Sequence, residues 1–345
     1  MKIGNFNITA DSKTFIIAEL SANHGGDLNI ALETVKAAAE AGADCIKLQT
    51  YRADTITLDS DKDDFIIKGT SWEGQNLYKL YDQAHTPWEW HKPIMELAKK
   101  LGLECFSSPF DYKAVDFLEG LDVPAYKIAS FEITDIPLID YVARKNKPII
   151  ISTGIASKDD ISLAIDTCIS AGNKNIAILK CTSSYPAPIE DANLSMLSEI
   201  QNDFNVIVGI SDHTMSNIVP ITSVGLGSKI IEKHFILDRN QGGPDAGFSL
   251  NPEEFKRMVV DVRNAELSLG RKDYPVTDKM KKGRQFSRSL YIVKDVKKGD
   301  KVTTDNVKSI RPGYGLHPKF LSTILGKTFK GSFEKGSRFN LEHVE

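Results

Sequence analysis

Cysteine is scarce in this chain. There are four in 345 residues, Cys45, Cys105, Cys168 and Cys181, and no C-x-x-C pair. Each sits in an apolar run, as in 101-LGLECF-106. That favours buried, reduced thiols and argues against a disulfide framework or a cysteine-ligated zinc. A charge excess is missing too. The formal net charge is −3, from 43 Lys and Arg against 46 Asp and Glu. Nothing in that balance points to a nucleic-acid or membrane partner. No apolar run approaches the roughly 20 residues of a membrane span. The opening MKIGNFNITADSK has no apolar segment after Lys2, so no signal peptide is expected and a cytoplasmic location is. What remains is the composition of an ordinary globular protein, long enough for one large domain and one small one.

Strand-like and helix-like segments alternate along most of the chain. The strand candidates are 15-FIIAEL-20, 45-CIKLQT-50, 103-LECFSS-108, 125-AYKIAS-130, 148-PIIIST-153, 175-NIAILKC-181, 206-VIVGIS-211 and 230-IIEKHF-235. They are short and rich in Ile, Val and aromatics, as buried parallel strands are. Helical patterns lie between them. In 88–102, Ile94, Leu97, Ala98 and Leu101 make an apolar stripe. In 252–270 the stripe is Phe255, Met258, Val259 and Val262, after a proline start and an acidic first turn. The order and size predict an α/β protein built on a (β/α)8 TIM barrel over residues 1–270. A doubly wound open sheet is the alternative, because alternation alone does not close a barrel.

Two stretches break the rhythm. Residues 51–86 form a long insertion after the second strand, a length more often functional than idle. Residues 271–285 are basic and polar and read as a linker. Beyond it, 286–345 form a small segment in which 298-KGDKVTTDNV-307 echoes 335-KGSRFNLEHV-344. Both place Lys-Gly at a turn, then a basic residue, an apolar residue and a terminal valine.

Chemistry in such a barrel gathers where strands end, and here those ends are polar. They offer Glu19, Ser21 and Asn23, then Lys47 and Gln49, Ser107 and Ser108, Lys127 and Ser130, Ser152, Ser183 and Tyr185, Ser211 and His213, and finally Glu232 and His234. A single buried lysine is explained by an internal acid such as Glu19. Two lysines with several hydroxyls point to an anionic substrate, a phosphate or a carboxylate. His213 and His234 end consecutive strands about 4.8 Å apart, so both imidazoles could reach one divalent ion. The plainer reading is that each histidine caps its own strand. Of the other histidines, His24 in 23-NHGGD-27 is the best placed to line a site, or else simply opens a helix. The loop 242-GGPDAGFSL-250 is either a flexible turn or carries Asp245 toward sugar hydroxyls. Arg311, in 311-RPGYG-315, is either a surface charge or reaches the barrel of a partner subunit.

The motifs IAELSANHGG, IKLQTY, FSSPFD, YKIAS, ISTG, KCTSSYPAP, GISDHT, IEKHF and GPD, in this order, resemble the sialic acid synthase family. The final segment resembles that family's antifreeze-like (SAF) domain, a small, mostly β fold. The resemblance covers essentially the whole chain. It implies condensation of phosphoenolpyruvate with an amino sugar, a divalent cation (Mn2+ or Mg2+), and a domain-swapped homodimer. Three stretches, 78-YKLYDQAHTPWEWH-91, 130-SFEITDIPLI-139 and 245-DAGFSL-250, are most similar to the pseudaminic acid synthase branch. Sialic and legionaminic acid branches carry a histidine after the GPD aspartate, where this chain has Ala246.

Carried over by motif, the resemblance assigns Lys47, Lys127, Ser130, Ser152 and Ser211 to phosphoenolpyruvate. Ser183 stands at a position that is asparagine in sialic acid synthases. His213 and His234 match the metal ligands, and Glu19 the acid beside the reacting carbon. Gln49, Tyr185, Glu232 and Asp245 match positions around sugar or metal, with Glu232 grouped with Glu19 as catalytic. Arg311 matches an arginine that one subunit inserts into the other's site. The expected activity is pseudaminic acid synthesis. The alternatives are an N-acetylneuraminic or legionaminic acid synthase, a Schiff-base aldolase acting through a lysine such as Lys127, and a non-catalytic carbohydrate binder.

Overall fold

The computed structural model describes residues 1–69, 72–270 and 273–345. The chain divides into two compact units, Met1–Gly270 and Arg271–Glu345.

The first unit is a closed barrel of eight parallel strands: β1 (Phe15–Glu19), β2 (Cys45–Thr50), β3 (Glu104–Pro109), β4 (Tyr126–Ile128), β5 (Ile149–Ser152), β6 (Ile176–Cys181), β7 (Ile207–Asp212) and β8 (Ile230–His234). Each pairs with its neighbour in sequence, and β8 also pairs with β1. The open-sheet alternative is therefore excluded. A helix follows each strand: α1 (Leu28–Ala41), α2 (Trp88–Lys100), α3 (Tyr112–Gly120), α4 (Ile136–Ala143), α5 (Lys158–Ser170), α6 (Met196–Phe204), α7 (Ile218–Gly225) and α8 (Pro252–Leu269).

Local chemistry marks the helix ends. Ser157 and Asp160 form a capping box at the start of α5, and Asn251 and Glu254 do the same for α8, whose first residue is Pro252. The α8 stripe Phe255, Met258, Val259 and Val262 is buried as expected. In α2, Ile94 and Ala98 are buried, but Leu101 is 41% exposed. Leu101 is the C-cap of α2, where the chain leaves the core-facing line, so the apolar stripe stops a turn early.

Most strand side chains on both faces of the barrel are buried, which is why the strands read as apolar runs rather than alternating ones. The insertion after β2 carries two short helices, Ala53–Ile56 and Leu77–Ala84, and a bridge between Ile66 and Asn76. Its residues 70 and 71 lie outside the described residues.

In the second unit β9 (Ser289–Ile292) pairs antiparallel with β10 (Val307–Ile310) over a small core. The repeat noted in the sequence is structural. Val302 and Phe339 occupy one repeated apolar position, Val307 and Val344 the other, and all four are buried. Gly299 and Gly336 open the two copies at the same φ of +94°, a left-handed turn that favours glycine. Of the expected linker, residues 271 and 272 lie outside the described residues. The remainder includes a short exposed helix, Asp278–Gly283.

Candidate active site

The carboxyl ends of the barrel strands converge on a buried ionic cluster. Strand alternation turns Glu19, Lys47, Lys127, Ser152, Ser211 and Glu232 toward the barrel axis. Lys47 Nζ stands 2.6 Å from Glu19 Oε2 and 3.2 Å from Glu232 Oε1. Lys127 Nζ donates to Ser152 Oγ at 2.7 Å and to the Ile128 carbonyl at 3.0 Å, and lies 3.8 Å from Glu232 Oε1. Ser211 Oγ donates to the same Glu232 oxygen at 3.0 Å, and Gln49 Nε2 donates to Glu19 Oε1 at 3.1 Å. The acid pairing considered for a single lysine is thus present, with Glu19 and Glu232 each facing Lys47.

Burial and neighbouring charge oppose one another on Lys47 and Glu232. Burial pulls Lys47 down to about 8, with Glu232 opposing that fall and Lys127 adding to it. Burial raises Glu232, but Lys127 and Lys47 outweigh it and hold the carboxyl below its usual range. Glu232 Oε2, Ser108 Oγ and Ser183 Oγ are buried without a hydrogen-bond partner. Buried polar atoms without partners are costly unless a ligand meets them.

Ser130, Ser183 and Gly154 meet closely beside this cluster. Ser130 Oγ accepts from the Gly154 N–H at 3.1 Å. A Cβ at Gly154 would fall 1.9 Å from Ser183 Oγ and 2.8 Å from Ser130 Oγ. No residue larger than glycine fits there without displacing both serines.

The two histidines end β8 and follow β7, with ring centroids 5.3 Å apart. His213 Nδ1 is 2.9 Å from the Thr182 carbonyl. A carbonyl only accepts, so Nδ1 carries a proton, and in the neutral ring Nε2 holds the lone pair. Burial would lower His213, but the Cys181 sulfur, the Thr182 carbonyl and Asp212 raise it instead. His234 is pushed well below the usual imidazole value, first by burial and then by His213 and the lysines. Its Nδ1 is buried without a hydrogen bond, 4.0 Å from Asp245 Oδ2. Asp245 is buried and accepts from Ser21 Oγ at 2.5 Å and the Ala22 N–H at 3.3 Å, and burial raises its carboxyl. Ser21 itself has a φ of +46°, strained for a non-glycine residue. Among the described residues no group of three or more His, Cys, Asp or Glu side chains is arranged to hold an ion.

Three further residues join this region that the sequence reading did not assign. Phe248 is buried, with its ring 4.9 Å from His234, 6.1 Å from His213 and 5.0 Å from Tyr185. Trp72, from the insertion, packs at a tilt against Tyr185 with centroids 5.7 Å apart and donates Nε1 to the Pro244 carbonyl at 3.1 Å. Glu132 has a buried Oε2 without a hydrogen bond, and burial, partly opposed by Lys127, raises its carboxyl to about 7. Phe248 lay inside the quoted loop 245-DAGFSL-250, and Glu132 two residues after Ser130, so position in a site loop was the available signal.

His24 turns away from the cluster. It packs 5.4 Å from Trp90, accepts on Nδ1 from the Gly26 N–H, and faces Thr86 with Nε2. Arg311 belongs to the second unit, where it follows β10 and is exposed. A cavity of about 780 Å3 opens at the opposite, strand-start face, among Gly4, Lys99, Glu104 and Lys147, where barrels carry stability rather than chemistry. Among the described residues no helix is long and apolar enough to cross a membrane.

Known proteins match along the chain. The NeuB family matches residues 34–274 and the SAF domain residues 287–345. The chain is 50% identical to a pseudaminic acid synthase of Campylobacter jejuni over 95% of each chain. It is 46% identical to a pseudaminic acid synthase of Helicobacter pylori, over 96% of this chain and 97% of that one. Among solved structures, the spore coat polysaccharide biosynthesis protein SpsE of Bacillus subtilis superposes with a TM-score of 0.70 at 33% identity, covering 100% of this chain and 99% of that one. The chain therefore belongs to the NeuB family and ends in a SAF domain.

Proposed function

We propose that this enzyme is a pseudaminic acid synthase. It would join phosphoenolpyruvate, 2,4-diacetamido-2,4,6-trideoxy-altrose and water to give pseudaminic acid and phosphate. The observation that carries this reading is the 50% identity to a pseudaminic acid synthase along nearly the full length of both chains. The buried cluster of two lysines, two glutamates and unmatched serine hydroxyls supports an anionic substrate at the same strand ends.

In this reading Lys47 and Lys127 hold the phosphate and carboxylate of phosphoenolpyruvate, with Ser130, Ser152, Ser183 and Ser211 donating hydroxyls. C3 of phosphoenolpyruvate forms a bond to the aldehyde carbon of the open sugar, whose oxygen takes a proton. C2 is left electron-poor. Glu19, ion-paired to Lys47 through Oε2 and accepting from Gln49 at Oε1, stabilises that centre and orients the water that adds to it. Glu232 opposes the loss of charge on Lys47 and also faces Lys127. The C2–O bond then breaks, and phosphate leaves with its bridging oxygen. Gln49, Tyr185 and Asp245 hold sugar hydroxyl or amide groups.

His213 and His234 fit a divalent cation. One presents an Nε2 lone pair with Nδ1 fixed by a carbonyl, and the other has a buried nitrogen with nothing bonded to it. A bound Mn2+ or Mg2+ would supply Lewis-acid polarisation of a carbonyl oxygen. The resemblance further implies a homodimer in which Arg311 of the partner subunit joins the site. Light scattering of the purified protein tests the dimer.

The deciding experiment offers three sugars side by side: the altrose above, N-acetylmannosamine, and the sugar that yields legionaminic acid. Products are identified by mass with phosphoenolpyruvate and Mn2+ present. Turnover of the altrose alone is expected, and preferred turnover of either other sugar replaces the assignment.

A further inference from the structure

Among the described residues, the buried Asp, Glu, Lys and Arg side chains are Glu19, Lys47, Lys127, Glu232 and Asp245, all in the site above, and two others, Asp212 and Lys233. These two lie directly opposite one another across β7 and β8. By strand alternation both leave the inner face, where Ser211 and Glu232 stand. Lys233 Nζ is 2.5 Å from Asp212 Oδ2, and their side chains are 0% and 3% exposed. Each residue immediately precedes one of the two histidines, Asp212 before His213 and Lys233 before His234.

The contacts extend past the pair. Asp212 Oδ1 accepts from the Thr214 N–H at 2.9 Å and Oδ2 from Thr214 Oγ1 at 3.2 Å. Lys233 Nζ also donates to the Thr214 carbonyl. His213 is thus flanked on both sides by residues bound to one ammonium, and that ammonium belongs to the residue before His234. A buried ion pair is poor evidence of stabilisation, because desolvation offsets the Coulombic gain and apolar replacements of both partners are often neutral. Its placement fits control of geometry better.

We propose that Asp212 and Lys233 form a cross-strand tie that fixes the separation and orientation of His213 and His234, and so sets the affinity of that pair for a divalent cation. The tie rests on the metal reading above. Both residues act through the backbone of their neighbours and are positioning residues, not ligands.

The test compares the wild type, His213→Ala, His234→Ala and the double variant Asp212→Asn with Lys233→Met. The double variant removes both charges while keeping side-chain size and the Asn-type cap on the Thr214 N–H. Mn2+ binding is read by titration calorimetry, the ligand field by the absorption of added Co2+, and the fold by circular dichroism. The wild type is expected to bind Mn2+ and each alanine variant to lose it. The double variant is expected to stay folded, bind Mn2+ on the order of 10-fold more weakly and shift the Co2+ spectrum, as loss of outer support to a ligand does. Unchanged affinity and spectrum in the folded double variant overturn the tie alone. A wild type that binds neither ion overturns the metal reading, and the tie with it. Should the double variant not fold, Lys233→Arg keeps both buried charges but moves the donor across the strands, and the same comparison decides. A pair that served stability only would lower the melting temperature and leave the Co2+ spectrum of the folded protein unmoved.

Discussion

Lys47 Nζ lies 2.6 Å from Glu19 Oε2, with both side chains at most 5% exposed. The contact joins the group proposed to hold an anion to the group proposed to act beside the reacting carbon. It also gives the site a pH dependence. Lys47 is charged below about 8 and loses its proton above. Phosphoenolpyruvate affinity is therefore expected to be constant below that pH and to fall as pH rises through it. Calorimetry from pH 6.5 to 9.5 reads the break. Lys47→Met should bind weakly and without the break, and an unchanged profile in that variant would assign the titration to another group.

Glu19→Gln separates binding from chemistry. The amide keeps the shape of the side chain and its contact with Gln49, so phosphoenolpyruvate affinity should change little. Turnover should fall by about 10²-fold or more, the usual contribution of a positioned acid or base. Single-turnover kinetics beside calorimetry distinguish the two effects. Full turnover would remove Glu19 from the mechanism.

The barrel was legible because its strands are buried on both faces, which compresses the signal into eight short Ile- and Val-rich runs. The ionic cluster was legible for the same reason: Lys47, Lys127, Glu19 and Glu232 interrupt runs that should be wholly apolar. Phe248, Trp72 and Glu132 were not, because an aromatic or an acid in a loop has no periodicity to violate, and only the closed barrel brings the loops of distant strands together. The Asp212–Lys233 pair was hidden in another way. Alternation shows that each residue faces away from its histidine, but the register of β7 against β8 is needed to set them opposite one another.

Gly154→Ala probes the two serines without touching a charge. The added methyl must displace Ser183 Oγ and Ser130 Oγ, which it would otherwise meet at 1.9 and 2.8 Å. A shift of about 1 Å in a positioning group can cost on the order of 10²-fold in rate. The expected result is a large fall in kcat/KM for phosphoenolpyruvate with little change in melting temperature, since the methyl enters the mouth and not the core. Wild-type kinetics would show that the two serines do not touch the substrate.

Acid should unfold the barrel through two buried histidines. His91 Nδ1 faces the Pro87 carbonyl at 3.3 Å, so Nε2 accepts from Thr50 Oγ1 at 2.7 Å, and Thr50 in turn accepts from Ser107 Oγ at 2.6 Å. Protonating Nε2 would break that chain. Burial lowers both His91 and His24 to about 4, against an ordinary value of 6.5. The folded state therefore binds fewer protons than the unfolded chain between those two values, and unfolding takes protons up. The histidines' contribution is fully present above pH 6.5, declines as pH falls toward 4, and is flat below. Each is worth on the order of 3 kcal/mol across that interval. Denaturant midpoints measured from pH 7.5 to 4 should fall along this curve. His91→Gln, whose amide oxygen can still accept from Thr50, should start lower but decline with a shallower slope. An equal slope in that variant would mean that the acid sensitivity arises elsewhere.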